Sequence, residues 1–113
     1  MWTEFSDRHS GGGGNMTQER IYIEAEELEA KRVFFARFDE DPDGVNCYCC
    51  GSNYSVYEHE TLEEATDCDR DRRGLTLSEF IARDDVAVIY STDITPEERV
   101  CLLPVTRQVT TYE

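Results

Sequence analysis

Two different spacings of apolar residues predict the first secondary-structure elements of the chain. Residues 21–25 carry alternating β-branched and aromatic side chains, which predicts a strand. Within residues 26–38 the repeat lengthens, and Ala30, Phe34 and Phe38 recur every four residues. This spacing places the aromatic side chains on one face of a helix, where we expect them to pack in the core.

The rest of the chain carries shorter apolar runs. A turn at 41–44 precedes a predicted hairpin, and the continuous apolar run 86–90 predicts a central strand. The end of the chain has strand-like patterning that is interrupted at Pro104. The predicted hairpin pairs 45–49 with 54–58, and the strand-like segments at the end are 100–103 and 105–112.

Three further helix starts are predicted, at Thr61, Thr76 and Thr95. The first two threonines are followed three residues later by glutamate, which is the spacing of a capping box. Pro96 follows the third threonine, at the helical position that proline favours. The charged segment 67–74 between the first two starts is predicted to be a connector.

The order of these elements predicts a single small α+β domain. We expect a mainly antiparallel sheet packed with one longer and two or three short helices. The run Gly11–Gly14 predicts that residues 1–15 are a flexible N-terminal arm and that residues 16–113 form the domain. The alternative is that Trp2 and Phe5 dock as a short first strand.

The chain is strongly acidic, because 25 Asp and Glu oppose 11 Lys and Arg and give a net charge of −14. This charge repels nucleic acid and anionic membranes, so neither direct nucleic-acid binding nor membrane association is expected. The expected partner is a basic protein surface. Neither a signal-peptide pattern nor a long apolar run is present, so we expect a cytoplasmic protein.

Most of the excess acid lies in residues 19–71, where 16 acids and 5 bases give a net charge of −11. Carboxylates three or four residues apart on a helix stand about 5–6 Å from one another, and successive phosphates of one nucleic-acid strand about 7 Å. Such a surface can therefore occupy a groove that binds nucleic acid. The alternative is a solvated acidic surface braced by arginines. The predicted partner-binding residues are Glu26, Glu27, Glu29, Asp39, Glu40, Asp41, Glu63, Glu64, Asp67 and Asp69.

The cysteines offer one candidate metal site. Cys47 and Cys50 are followed by a glycine, which is the pattern of a zinc knuckle. His59 and Cys68 would complete a four-ligand structural zinc site. The alternative is a set of reduced, partly buried thiols, and no other cofactor is expected.

Catalysis is not expected. Cys50 with His59 could act as a nucleophile and base, and Asp7 with His9 as an acid–base pair. Neither pair has a third residue in the sequence that would orient it. We therefore interpret the chain as a binding protein and not as an enzyme.

Short segments spread along the chain carry a resemblance: WTEF at 2–5, HSGGG at 9–13, YIEA at 22–25, Phe34 with Arg37 and Phe38, CYCCG at 47–51 and YS at 54–55. In these segments the chain resembles a group of small, uncharacterised proteins encoded by bacteriophages. The resemblance implies a phage-derived protein that acts in the bacterial cytoplasm. By size and charge alone, the chain is also similar to DNA-mimic anti-CRISPR proteins.

Two functions are consistent with these features. The first is an inhibitor of a bacterial defence system, foremost an anti-CRISPR protein, that acts as an acidic DNA mimic in a basic nucleic-acid-binding groove. The second is a small zinc-knuckle accessory protein of a phage, without inhibitory mimicry, whose acidity serves solubility.

Overall fold

The computed structural model describes residues 1–7, 19–43 and 54–103 of the chain. Short strands and helices alternate along these ranges. The elements are β1 (Trp2–Asp7), β2 (Arg20–Ile23), α1 (Glu27–Phe38), β3 (Tyr54–His59), α2 (Leu62–Arg73), α3 (Leu77–Ile81), β4 (Val86–Ile89) and α4 (Pro96–Arg99), with a 3₁₀ turn at Ser91–Asp93.

The four strands form one mixed sheet in the order β3-β1-β2-β4. Strand β1 pairs antiparallel with both β2 and β3, whereas β2 and β4 run parallel. The predicted α+β class is therefore confirmed, with a sheet that is mixed and not purely antiparallel. Among the described strands β4 lies at an edge and not at the predicted central position.

The N-terminal segment is part of the sheet. Strand β1 lies between β2 and β3 and pairs with both along its length. The prediction of a flexible arm over residues 1–15 is therefore wrong for Trp2–Asp7, and the alternative that Trp2 and Phe5 dock as a strand is confirmed. Phe5 is completely buried and Trp2 is nearly so, which explains why the segment packs against the domain. Residues 8–15 lie outside the described part of the chain.

Side chains on the two faces of the sheet form two separate apolar clusters, because successive residues of a strand point to opposite sides. Phe5, Ile21 and Ile23 pack with α1 on one face. Trp2 and Tyr22 pack with residues of α2 and α3 on the other face. Helix α1 and helix α2 therefore lie on opposite sides of the sheet.

Helix α1 presents the predicted aromatic stripe to the core. The ring of Phe34 lies 4.6 Å from that of Phe5, 5.2 Å from Phe38 and 5.1 Å from Tyr54, centroid to centroid. The helix ends where Asp39 adopts a left-handed conformation with φ 53° and its N–H bonds to the carbonyl of Phe35. The prediction of a core-facing helix is confirmed.

Helix α2 extends beyond the prediction. The segment 67–74, expected to be a connector, is helical through Arg73 and ends at Gly74 with φ 70°. Its polar side chains are held by contacts along the helix, including a 2.8 Å hydrogen bond from Arg70 to Thr66. The structure therefore has two twelve-residue helices and two short ones in the described ranges.

The predicted helix starts are present. Thr76 forms a complete capping box with its N3 glutamate, and so does Thr95. Thr61 accepts a hydrogen bond from the N–H of Glu64, but the Glu64 carboxylate bonds to the N–H of Glu60, so this cap is only half of a box.

The other strand predictions fall partly outside the described ranges. The segments 45–49 and 105–112 lie outside them, and residues 101–103 carry no strand. None of the helices in the described ranges has the length and apolar character needed to cross a membrane.

Candidate partner-binding surface

Helices α1 and α2 both begin beside the end of β3, on opposite faces of the sheet. Trp2, at the start of β1, pairs with His59 at the end of β3, and α2 begins three residues after His59. The backbone N–H of Glu27 donates a 2.8 Å hydrogen bond to the carboxylate of Glu58, which brings α1 to the same place. We call the resulting group of carboxylates the acidic edge. It consists of Glu26, Glu27, Glu58, Glu60, Glu63 and Glu64.

All six side chains of the acidic edge are exposed. Glu27 forms an ion pair of 3.0 Å with Lys31. The other five make no ion pair with any residue in 1–7, 19–43 or 54–103. Like charges this close repel one another, but the positive ends of two helix dipoles and two backbone N–H groups offset the repulsion. The fold therefore keeps a local excess of negative charge at this end.

Three other predicted partner-binding residues lie beside arginines. Glu29 pairs with Arg99 at 3.2 Å. Asp69 pairs with Arg20 at 3.0 Å and also with Arg72. These two carboxylates connect elements of the fold and have less charge to offer to a partner, whereas Asp67 is 76% exposed and lies 3.9 Å from Arg70 within the same helix. Around Glu29 and Asp69 the surface therefore fits the alternative interpretation, in which arginines brace the acids.

The remaining predicted residues lie at the far end of α1. Asp39, Glu40 and Asp41 follow its last turn, about 18 Å from its first turn at 1.5 Å per residue. The ten predicted residues thus divide among three places. Four of them, Glu26, Glu27, Glu63 and Glu64, come together in the acidic edge, and sequence reasoning did not add Glu58 and Glu60 to the predicted set.

A second polar group lies on the sheet face that α2 covers. The guanidinium of Arg20 bonds to Asp69 at 3.0 Å and to the hydroxyl of Ser6 at 2.8 Å. On the same face, the ring nitrogen Nε2 of His59 lies 3.0 Å from the carboxylate of Glu4. Sequence reasoning missed this group because Glu4 and Ser6 were assigned to an arm. Their alternation along β1 is the signal that would have placed them on one face.

Burial raises the pKa of two residues on this face of the sheet, Glu4 and Tyr22. Burial raises the pKa of Glu4, although the neighbouring His59 and Arg20 favour its charged form. Burial and the negative charges of Glu4 and Asp69 also raise the pKa of Tyr22. The Tyr22 hydroxyl makes no hydrogen bond with any residue that the structure describes. The group forms a polar network between the sheet and α2.

The candidate zinc ligands are only partly covered by the structure. Cys47 and Cys50 lie outside the described residues, His59 contacts Glu4 as stated, and Cys68 is an exposed free thiol on α2. Within the described ranges no group of three or more His, Cys, Asp and Glu side chains is arranged to hold a metal ion. The zinc site stays a prediction. Of the candidate catalytic residues, Cys50 and His9 also lie outside the described ranges.

An open cleft of about 350 Å³ adjoins the acidic edge. It lies where β1 begins and β4 has just ended. Its lining combines aromatic, aliphatic and acidic side chains. The lining residues are Trp2, Glu60, Thr61, Leu62, Glu63, Leu77 and Tyr90.

Comparison of the chain with known protein families, with curated proteins and with solved structures gives no match.

Proposed function

We propose that this protein is an inhibitor that binds a basic, nucleic-acid-binding surface of a bacterial defence complex through its acidic edge, foremost as an anti-CRISPR protein. The observation that supports it is the group of five exposed carboxylates, in β3, in α2 and in the residues just before α1 and α2, that have no ion-pair partner within the described residues. The protein would occupy the groove in place of nucleic acid.

The placement of these carboxylates suits such a groove. Glu63 and Glu64 lie in the first turn of α2, and Glu60 directly precedes its N-cap residue, Thr61. Backbone hydrogen bonds hold the carboxylates of Glu58 and Glu64 in place. Fixed negative groups lose little conformational entropy on binding arginines and lysines, and their field speeds association.

The distribution of ion pairs also supports the proposal. Several arginines in the described ranges pair with nearby acids, such as Arg99 with Glu29 and Arg83 with Asp85. The acidic edge lacks such partners except for Lys31 beside Glu27. Exposed acids without an ion pair in the described ranges also occur at Asp71, Asp84 and Glu97, on other parts of the fold, whereas the acidic edge brings five of them to the end of β3 and the helix starts beside it. The bacterial and phage setting rests on the resemblance of the short segments given above.

The proposal is tested with two charge-matched triple variants. The edge variant Glu26→Gln/Glu60→Gln/Glu63→Gln removes three carboxylates that make no side-chain hydrogen bond in the described ranges. The control variant, Asp71→Asn/Asp84→Asn/Glu97→Gln, removes three exposed carboxylates from α2, the loop before β4 and α4, and leaves the same net charge.

Each protein is added to purified CRISPR effector complexes, and target DNA binding is measured over a range of salt concentrations. We expect the unmodified protein and the control variant to displace DNA, most strongly at low salt. The edge variant should bind the effector about tenfold more weakly or worse. Equal competition by the edge and control variants, or binding that does not respond to salt, would contradict the proposal.

A further inference from the structure

The cleft beside the acidic edge has an aromatic corner. The rings of Trp2 and Tyr90 meet edge to face, with centroids 5.5 Å apart and planes at 84°. The Trp2 side chain is 7% exposed, whereas Tyr90 is 41% exposed and so presents part of its ring to an incoming group. Leu62 and Leu77 extend the apolar lining.

The sheet topology builds this corner from distant parts of the chain. Trp2 opens β1 and points to the face covered by α2 and α3. Strand β4 runs parallel to β2, which is antiparallel to β1, so the end of β4 lies at the same end of the sheet as the start of β1. Tyr90 directly follows β4 and therefore comes to lie beside Trp2.

Two carboxylates stand beside the aromatic corner. Glu60 and Glu63 contribute to the lining of the cleft, and both are exposed. Neither side chain makes an ion pair or a hydrogen bond within the described ranges. The cleft thus places negative charge next to aromatic and aliphatic surface, a combination that repels anions and favours a cation with a flat apolar face.

We propose that this cleft binds the side chain of an arginine on the partner protein. A guanidinium is planar and weakly hydrated, stacks on aromatic rings, and pairs with carboxylates through two parallel N–H groups. A lysine ammonium is strongly hydrated and cannot stack in this way. The identity of the partner rests on the proposed function, but the preference of the cleft for arginine can be measured without the partner.

The chain itself supplies the reporter, because Trp2 is its one tryptophan. The full-length protein is titrated with three capped tripeptides, Gly-Arg-Gly, Gly-Lys-Gly and Gly-citrulline-Gly, while Trp2 fluorescence and the Trp2 indole N–H resonance are followed. Citrulline has the shape of arginine without its charge. We expect saturable changes with the arginine peptide and a dissociation constant on the order of millimolar, weaker binding of the lysine peptide and no saturable change with citrulline.

Variants on either side of the cleft identify the binding groups. Glu60→Gln/Glu63→Gln and, separately, Tyr90→Ala should each weaken arginine-peptide binding about tenfold. Asp84→Asn/Glu97→Gln is the charge-matched control and should bind as the unmodified protein does. Unchanged circular dichroism verifies that each variant is folded.

Each contrary result has a definite meaning. No saturable change with the arginine peptide, equal binding of the citrulline or lysine peptide, or equal binding by the Glu60/Glu63 and control variants would overturn the inference. Arginine binding in the cleft together with a failure to compete with DNA would leave the inference standing and contradict the proposed function. If competition with DNA depends on the acidic edge but the arginine peptide does not bind in the cleft, the proposed function stands and the inference is contradicted.

Discussion

The carboxylate of Glu58 caps helix α1 from a neighbouring strand, by accepting a 2.8 Å hydrogen bond from the backbone N–H of Glu27. The N-cap residue of this helix, Glu26, makes no capping hydrogen bond with its own side chain. A helix N-terminus leaves several N–H groups without partners and favours negative charge nearby. Glu58 serves both needs, and in doing so it joins the acids of α1 to those of β3 and α2.

We therefore expect Glu58→Ala to lower the free energy of unfolding by about 1 kcal/mol. Glu58→Gln retains an acceptor oxygen and should lose less. Urea unfolding followed by circular dichroism measures the difference. Glu60→Ala is the control, since that exposed side chain makes no hydrogen bond in the described ranges, and an equal loss in both alanine variants would contradict the capping role.

The helices with a regular spacing of apolar residues or a capping pattern could be predicted from the local sequence. The four-residue spacing that ends at Phe34 and Phe38 predicted α1 to within one residue of its observed start, and the capping pattern at Thr76 located α3. Strand β4 was recognised as a strand. Its position in the sheet depends on pairing with β2, which lies more than 60 residues earlier, and no local pattern contains that information.

The errors have physical causes. Strand β1 is a six-residue segment followed by glycines, and it is stable only because β2 and β3 pair with it on both sides. The second half of α2 lacks an apolar stripe and is held by polar contacts, including that of Asp69 with Arg20 on another element. The acidic edge follows from these same non-local contacts. The sequence shows that these acids are present, but it does not predict that Glu58 contacts Glu27.

The ion pair between Arg20 and Asp69 should contribute measurably to stability. Both side chains are shielded, 26% and 13% exposed, and the pair links the sheet to α2. We expect Arg20→Met to lower the free energy of unfolding by about 1–3 kcal/mol, because it leaves a partly buried carboxylate with less compensation.

Arg83→Met is the matched control, because Arg83 pairs with Asp85 only two residues away and its side chain is 36% exposed. A surface pair of this kind contributes little to stability, because solvent screens it. Urea unfolding of both variants tests the comparison. Equal losses would contradict the bracing role of Asp69 and would return that residue to the set of candidate partner-binding acids.

Removal of the Tyr22 hydroxyl should not destabilise the protein. Tyr22 is completely buried, and its hydroxyl has no hydrogen-bond partner among residues 1–7, 19–43 and 54–103. An unsatisfied buried hydroxyl carries a desolvation cost, so we expect Tyr22→Phe to raise the free energy of unfolding by up to about 1–2 kcal/mol. Tyr57→Phe, at an exposed position on β3, should leave it unchanged. A clear loss of stability in Tyr22→Phe alone would contradict this expectation.

The junction of α4 with α1 should weaken in acid. Partial burial opposes ionisation of Glu98, but hydrogen bonds from the N–H of Thr95 at 2.8 Å and from Nε of Arg37 at 2.8 Å prevail and lower the pKa of Glu98. A carboxyl whose pKa is lower in the folded than in the unfolded state stabilises the protein above the unfolded value of 4.5. That contribution is lost as the pH falls from 4.5 through the folded pKa.

The unmodified protein should therefore be more stable than Glu98→Gln at neutral pH, and the difference should shrink in this acidic window. Urea unfolding across the pH range measures it, with Glu97→Gln on the same helix as the control for the loss of one charge. An identical pH dependence in the two variants would show that the contacts with Thr95 and Arg37 do not stabilise the charged form of Glu98.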